Sequence, residues 1–197
     1  MTIDLVVKNA IVVTCDEKQT VIRDGGVAVS NGRITQIGES AALEQAAGNA
    51  RNVIDGIGHI LMPGLINSHC HAADSLFRGL VEDLPLEPWL QKVWTAEGAI
   101  LNPQTSHLGS LLGFSELLLS GVTSTMDMFW YPVETVRAAR EVGMRVSTGG
   151  IFFDGPGVDG ATLDDRIASA EAFFEAFEGA DDVFPATMPH GAYTVGP

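Results

Sequence analysis

Pro63-Gly64-Leu65-Ile66-Asn67-Ser68-His69-Cys70-His71 is an apolar run that opens on a proline-glycine pair and closes on two histidines one residue apart. On a β-strand, residues i and i+2 project from one face, so His69 and His71 point together and Cys70 points away. At about 3.3 Å of rise per residue, the two imidazoles stand roughly 6 to 7 Å apart along the strand, close enough to share one divalent metal. A polar strand end with no ligand role is the alternative. The preceding Pro-Gly and the apolar character of the run, unlike a surface loop, favour the metal.

Upstream of this stretch, residues 1 to about 62 read as β. Leu5-Val6-Val7 and Ile11-Val12-Val13-Thr14 are short β-branched runs. Gly26 to Ser30, then Asn31-Gly32, then Arg33 to Ile37 predicts a hairpin, because Asn-Gly supplies the two positive-φ residues of a type I′ turn. Ala41 to Ala47 predicts a short helix, and Val53 to Asp55 and His59 to Met62 predict further strands.

Downstream, strand and helix patterns alternate, the mark of parallel βαβ units. The strands expected are Leu65 to His69, Val122 to Asp127, Arg145 to Gly149 and Val183 to Met188. A long connection, Ala72 to Leu101, carries a helical stretch around Pro88 to Val93. Asn102-Pro103 opens a helix to about Ser120, with Asn as N-cap and Pro at N1. Its expected buried face is Leu108, Leu111, Leu112, Ser115, Leu118 and Leu119. Pro132 to Val142 is a second helix, stopped by Gly143. Thr162 to Asp165 has capping-box spacing, and its helix is expected to bury Leu163, Ile167, Ala170, Phe174 and Phe177.

The chain has 197 residues, 46% hydrophobic and 18% charged, with a net charge of −14. Phosphate backbones and anionic membranes call for clustered Lys and Arg, so no nucleic-acid or membrane partner is expected. Two cysteines, Cys15 and Cys70, give no disulfide framework. No basic leader or long apolar run is visible, and a cytoplasmic location is the expectation.

Met62 to His71 resembles the first-strand signature of the amidohydrolase superfamily. Arg78-Gly79-Leu80, Asp83-Leu84-Pro85-Leu86-Glu87-Pro88-Trp89-Leu90 and Pro189-His190-Gly191-Ala192-Tyr193-Thr194 resemble its branch of aminohydrolases acting on N-heterocycles. That branch includes S-adenosylhomocysteine/methylthioadenosine, guanine and cytosine deaminases and triazine hydrolases. The resemblance runs in order along nearly the whole chain. It implies an α/β fold, the N-terminal half of a (β/α)8 TIM-type barrel preceded by a small β-sandwich subdomain. Residues 1–62 would be the N-terminal part of the sandwich, and 63–197 the first four βα units. A complete barrel takes about 250 residues, more than this chain holds.

The resemblance further implies one divalent metal, zinc or iron, held by His69 and His71 with two ligands from later strands. The reaction would be hydrolytic deamination or dechlorination of a small N-heterocyclic substrate. No catalytic residue is assigned within this chain. In barrel enzymes chemistry sits at the C-terminal ends of strands, which singles out the residues that follow them. His190 would contact the heterocycle or sugar, or else cap a loop carbonyl. Glu97 would accept hydrogen bonds from ribose hydroxyls, or else be a solvated helix residue. Trp89 offers an aromatic wall for a flat ring, or core packing for the long loop.

Asp127 would hydrogen-bond around the metal site or cap the second βα turn, and the structural role is the one expected; Arg78 is expected to pair with Glu82 or Asp83 and anchor the loop. S-adenosylhomocysteine deaminases place an arginine after the third strand. Here the position reads Gly149-Gly150-Ile151, which suits a substrate without a carboxylate tail. With two of four metal ligands the isolated chain is expected to be inactive, awaiting a missing C-terminal half or a homo-oligomeric partner. The alternative is a non-catalytic fragment acting as a structural or interaction module.

Overall fold

The computed structural model describes residues 3–196. The chain divides into two compact units between Pro63 and Gly64.

The first unit is a sheet built on one long strand. β1 (Ile3–Val13) pairs antiparallel with β2 (Val21–Ser30), which pairs antiparallel with β3 (Arg33–Glu39). Asn31 and Gly32 join β2 to β3 with φ of 51° and 71°, the two left-handed residues a type I′ turn needs. The two runs expected near the N-terminus are a single strand. Asn9, at φ 62°, lies within a register shift between Val7 and Ala10, so a bulge interrupts the apolar pattern without ending the strand. A 3-10 turn (Ser40–Leu43) leads into α1 (Glu44–Ala47) and buries Leu43 against Val6 and Ala28. β4 (Ala50–Asp55) and β5 (Ile60–Leu61) pair parallel with β1.

The second unit begins with β6 (Leu65–Cys70). A six-residue 3-10 segment (Ala72–Phe77) follows, then α2 (Leu86–Ile100). α2 is far longer than the stretch expected around Pro88. That proline falls in the first helical turn, where its missing N–H costs no internal bond. α3 (Pro103–Leu119) opens on the expected cap. Asn102 Oδ1 accepts from Thr105 N at 3.0 Å, and Thr105 Oγ1 accepts from Asn102 N at 2.9 Å. β7 (Val122–Asp127), α4 (Pro132–Val142) and β8 (Arg145–Thr148) come next. β9 (Ile151–Phe152), α5 (Leu163–Ala176), β10 (Val183–Pro185) and β11 (Met188–Pro189) complete the unit.

The main sheet runs β10-β8-β7-β6, all parallel, each strand laid beside its predecessor in the sequence. The third expected strand ends as β8, the fourth is broken in two, and β9 and β11 form their own parallel ladder beyond them. A Cβ at Gly149 would lie 1.9 Å from the Ala186 carbonyl oxygen, so the two chains cross there too closely for any side chain.

The expected buried faces of two helices are corrected. α3 buries Ser106, His107, Gly109, Ser110, Gly113 and Phe114, while Leu108, Leu112 and Leu119 are exposed. Its small residues admit the 3-10 segment: a Cβ at Gly109 or Gly113 would lie 2.6 Å from the carbonyls of Ala73 or Ala72. α5 buries Arg166, Ala170 and Phe173, one position round from the expected set, and leaves Leu163, Ile167 and Phe174 exposed. The inward face includes Arg166 because Asp159 meets its guanidinium with two bonds, at 3.0 and 2.8 Å. The core between sheet and helices gathers Phe114, Val136, Met144, Val146, Phe173 and Val183. No helix among the described residues is long and apolar enough to cross a membrane.

Candidate active site

His69 is in β6 and His71 directly follows it. Their rings lie 4.9 Å apart, centroid to centroid, and nearly perpendicular at 81°. Two imidazoles bound to one zinc at about 2.0–2.1 Å and a near-tetrahedral angle place their centroids roughly 5 Å apart. The pair therefore fits one such ion.

The backbone after β7 orients His71. Its Nδ1 lies 2.8 Å from the Met128 carbonyl, which can only accept, so Nδ1 carries the hydrogen. A histidine with its hydrogen on Nδ1 carries its lone pair on Nε2, the usual arrangement for a metal ligand. Two bonds stitch the same strand ends together. Met128 N donates to the Cys70 carbonyl at 3.0 Å, and Ala72 N donates to Asp127 Oδ1 at 2.6 Å.

Asp127 is fully buried, and burial pushes its carboxyl up to about 6 against the pull of the Ala72 N–H. Cys70 turns into the core below, and burial pushes its thiol up to about 12, which makes it a poor nucleophile. Among the described residues no group of three or more His, Cys, Asp or Glu side chains converges on one metal position.

His71, Trp89, Glu97 and His190 line one cavity. His69 is not part of its wall. The space measures about 60 Å³, well below the ~300 Å³ of the smallest usual ligand pockets. Glu97 is 4% exposed and is not a solvated helix residue. Its Oε2 accepts from the indole Nε1 of Trp130 at 2.9 Å. Asp74, three residues past His71, shares a hydrogen bond with Glu97. Burial and the neighbouring Glu97 charge push Asp74 up to about 8. Burial raises Glu97 as well, while bonds from Trp130 and Asp74 hold it down.

His190 Nδ1 lies 2.7 Å from Thr194 Oγ1, whose own hydrogen goes to the Gly191 carbonyl at 3.2 Å. Nδ1 is thus the donor and Nε2 is left open. Phe153, Tyr193 and Trp94 surround the ring at centroid distances of 5.4, 5.8 and 6.2 Å. Burial, then the charge of His71, lowers the His190 pKa.

Sequence reading missed Asp74, Trp94 and Trp130 as cavity residues. The rule about strand ends pointed near two of them, since Asp74 and Trp130 follow β6 and β7 by four and three residues. Arg78 pairs with neither Glu82 nor Asp83. It forks onto Glu116 of α3 at 2.9 and 2.5 Å, because the 3-10 segment before it docks on that helix.

Residues 60–197 match the amidohydrolase family. The chain belongs to that family. Among curated relatives, the 5-methylthioadenosine/S-adenosylhomocysteine deaminase of Thermodesulfovibrio yellowstonii is 35% identical, over 96% of this chain and 44% of its own length. The 5'-deoxyadenosine deaminase of Methanosarcina acetivorans is 38% identical, over 97% of this chain and 43% of its own. A solved adenosine deaminase from Xanthomonas campestris with bound zinc superposes with a TM-score of 0.90 at 29% identity. That match covers 98% of this chain and 44% of that one. A triazine hydrolase from Arthrobacter aurescens shares the fold, with a TM-score of 0.84 at 22% identity over 98% of this chain and 48% of its own. This amidohydrolase chain therefore spans under half the length of the relatives it matches. Its α/β architecture corresponds to the N-terminal part of their barrels.

Proposed function

We propose that this chain carries the first four βα units of a metal-dependent amidohydrolase that deaminates an adenosine-like N-heterocycle. Residues up to Met62 serve as part of an accessory β subdomain. The observation that carries the reading is the pair of adjacent imidazoles, with Nδ1 of His71 engaged by the Met128 carbonyl and Nε2 free. The zinc-bound deaminase neighbour supports zinc as the ion. His69 and His71 would hold it, and such an ion activates water for attack on an electrophilic ring carbon. Two histidines make a weak site, so activity belongs to a barrel completed by further strands, in another segment or a second chain.

The residues of this chain bind and orient the substrate. Trp89 and Trp94 offer flat apolar surface to a heterocycle. The Glu97 carboxylate, with Asp74 beside it, accepts from vicinal hydroxyls. Nε2 of His190, the acceptor nitrogen of that ring, is available to a sugar hydroxyl or an amino group of the heterocycle. The cavity wall holds two carboxyl groups and no Lys or Arg. With the close crossing at Gly149, this favours a neutral nucleoside over one with an anionic tail. The 38% identical 5'-deoxyadenosine deaminase supports the same choice.

The test is adenosine deamination by this chain supplied with the later strands of a relative. Conversion that needs both parts and zinc, and that is lost in His71→Ala, is the expected result. Zinc-independent turnover, or none from a folded, zinc-loaded assembly, would refute it.

A further inference from the structure

The Trp130 indole donates to Glu97 Oε2 at 2.9 Å in a buried bond. Three contacts hold the tryptophan in turn. Ser106 Oγ donates to its main-chain carbonyl at 3.2 Å. Phe153 meets its ring edge-on at 6.1 Å. The Arg166 guanidinium lies over the ring, 5.6 Å from the centroid.

Arg166 is itself fixed. It is 3% exposed, forks onto both oxygens of Asp159, and donates a third bond to the Ile151 carbonyl at 3.3 Å. A buried guanidinium forked onto a carboxylate and stacked on an indole has little freedom left. Asp159, Arg166, Trp130 and Glu97 thus form a row that ends at the cavity. A free glutamate side chain rotates about three bonds. A carboxylate that must meet two neighbouring hydroxyls has to present one particular edge.

We infer that Trp130 is a positioning residue that sets substrate discrimination, holding the Glu97 carboxylate in the one orientation that receives a vicinal diol, with Arg166 and Asp159 as its brace. The inference rests on the proposal that this cavity takes an adenosine-like molecule.

The test measures dissociation constants of adenosine and 2′,3′-dideoxyadenosine by ligand-observed NMR for this chain assembled with the later strands of a relative, kept metal-free so that neither nucleoside is turned over. Adenosine should bind about tenfold more tightly, the scale of hydrogen bonds to a charged group. In Trp130→Phe the ratio of the two constants should fall to about one. A merely structural role would weaken both nucleosides alike and leave the ratio intact. Asp159→Asn, which alters only the partly exposed end of the row, should lower the ratio about two- to threefold. That variant decides the matter if Trp130→Phe fails to fold. A ratio unchanged in the folded variant overturns the inference alone. If neither nucleoside binds the wild-type assembly, the nucleoside reading falls with it.

Discussion

His71 has its Nδ1 engaged by a main-chain carbonyl, which no side-chain substitution can remove, and its Nε2 left free. Replacing the imidazole itself is therefore the direct probe. His69→Ala and His71→Ala should each weaken zinc binding by at least about tenfold in equilibrium dialysis. Retention of wild-type affinity in either would show that the pair is not a ligand set. Asp127 holds the same region by other means. Asp127→Ala leaves the buried Ala72 N–H without an acceptor, a loss of about 1–3 kcal/mol. The melting temperature should drop by roughly 5 °C. Asp127→Asn, which keeps an acceptor oxygen, should recover part of that drop, and equal losses in both would rule out the capping role. The proximity of the histidine pair was legible because strand spacing is a local pattern, whereas Asp127 was legible only as a structural residue at a strand end, since it caps Ala72 after β6 and not its own βα turn. Trp130 was not: its partner Glu97 lies 33 residues away, and nothing in the spacing of the two announces a hydrogen bond.

At the scale of elements, caps and stops read well. Asn102-Pro103, Thr162 with Asp165, and Gly143 bound their helices as expected, because a cap is a matter of a few adjacent residues. The buried faces of α3 and α5 read badly. Leucine spacing ignores a neighbour that demands close approach, and α3 receives the 3-10 segment on Gly109 and Gly113. Two effects compete in Gly109→Ala. Helix propensity favours alanine by about 1 kcal/mol, while overpacking against backbone costs about 1–3 kcal/mol. The Ala73 carbonyl cannot swing aside as a side chain would, so the net change should be destabilising in urea unfolding. A stabilised variant would contradict the close packing.

α4 is tied to the start of β10 by Arg140. Its Nε and a terminal nitrogen reach the Asp182 carboxylate at 2.7 and 3.1 Å, and it stacks on Phe177 at 5.4 Å. The bonds from Arg140 hold Asp182 below its ordinary value. A depressed carboxyl stabilises the fold above its unfolded pKa, about 3.9, and that contribution fades as pH falls through the folded value. Both groups are partly exposed, so the gain is at most about 1 kcal/mol. Asp182→Asn should melt slightly lower than wild type at pH 7 and match it in strong acid. A constant gap would place its cause elsewhere.

At the scale of the whole molecule, the four-stranded sheet has helices for only part of its apolar surface. Ile66 is 76% exposed, and Met126 and Phe184 are nearly half exposed, all on strands of that sheet. β6 and β10 lie at its edges, with backbone groups free to pair. The chain alone should therefore associate as concentration rises, and Ile66→Lys should suppress this in sedimentation velocity runs. A wild-type monomer across the accessible concentration range would refute the expectation. The cavity wall has a further consequence. The chain contains three tryptophans, Trp89, Trp94 and Trp130, and all three line that one space. Intrinsic ultraviolet emission excited at the indole band therefore originates at the candidate site. Any quencher, heterocycle or added strand that enters this cavity reports itself in the emission of the unlabelled protein, with no tryptophan elsewhere to dilute the signal.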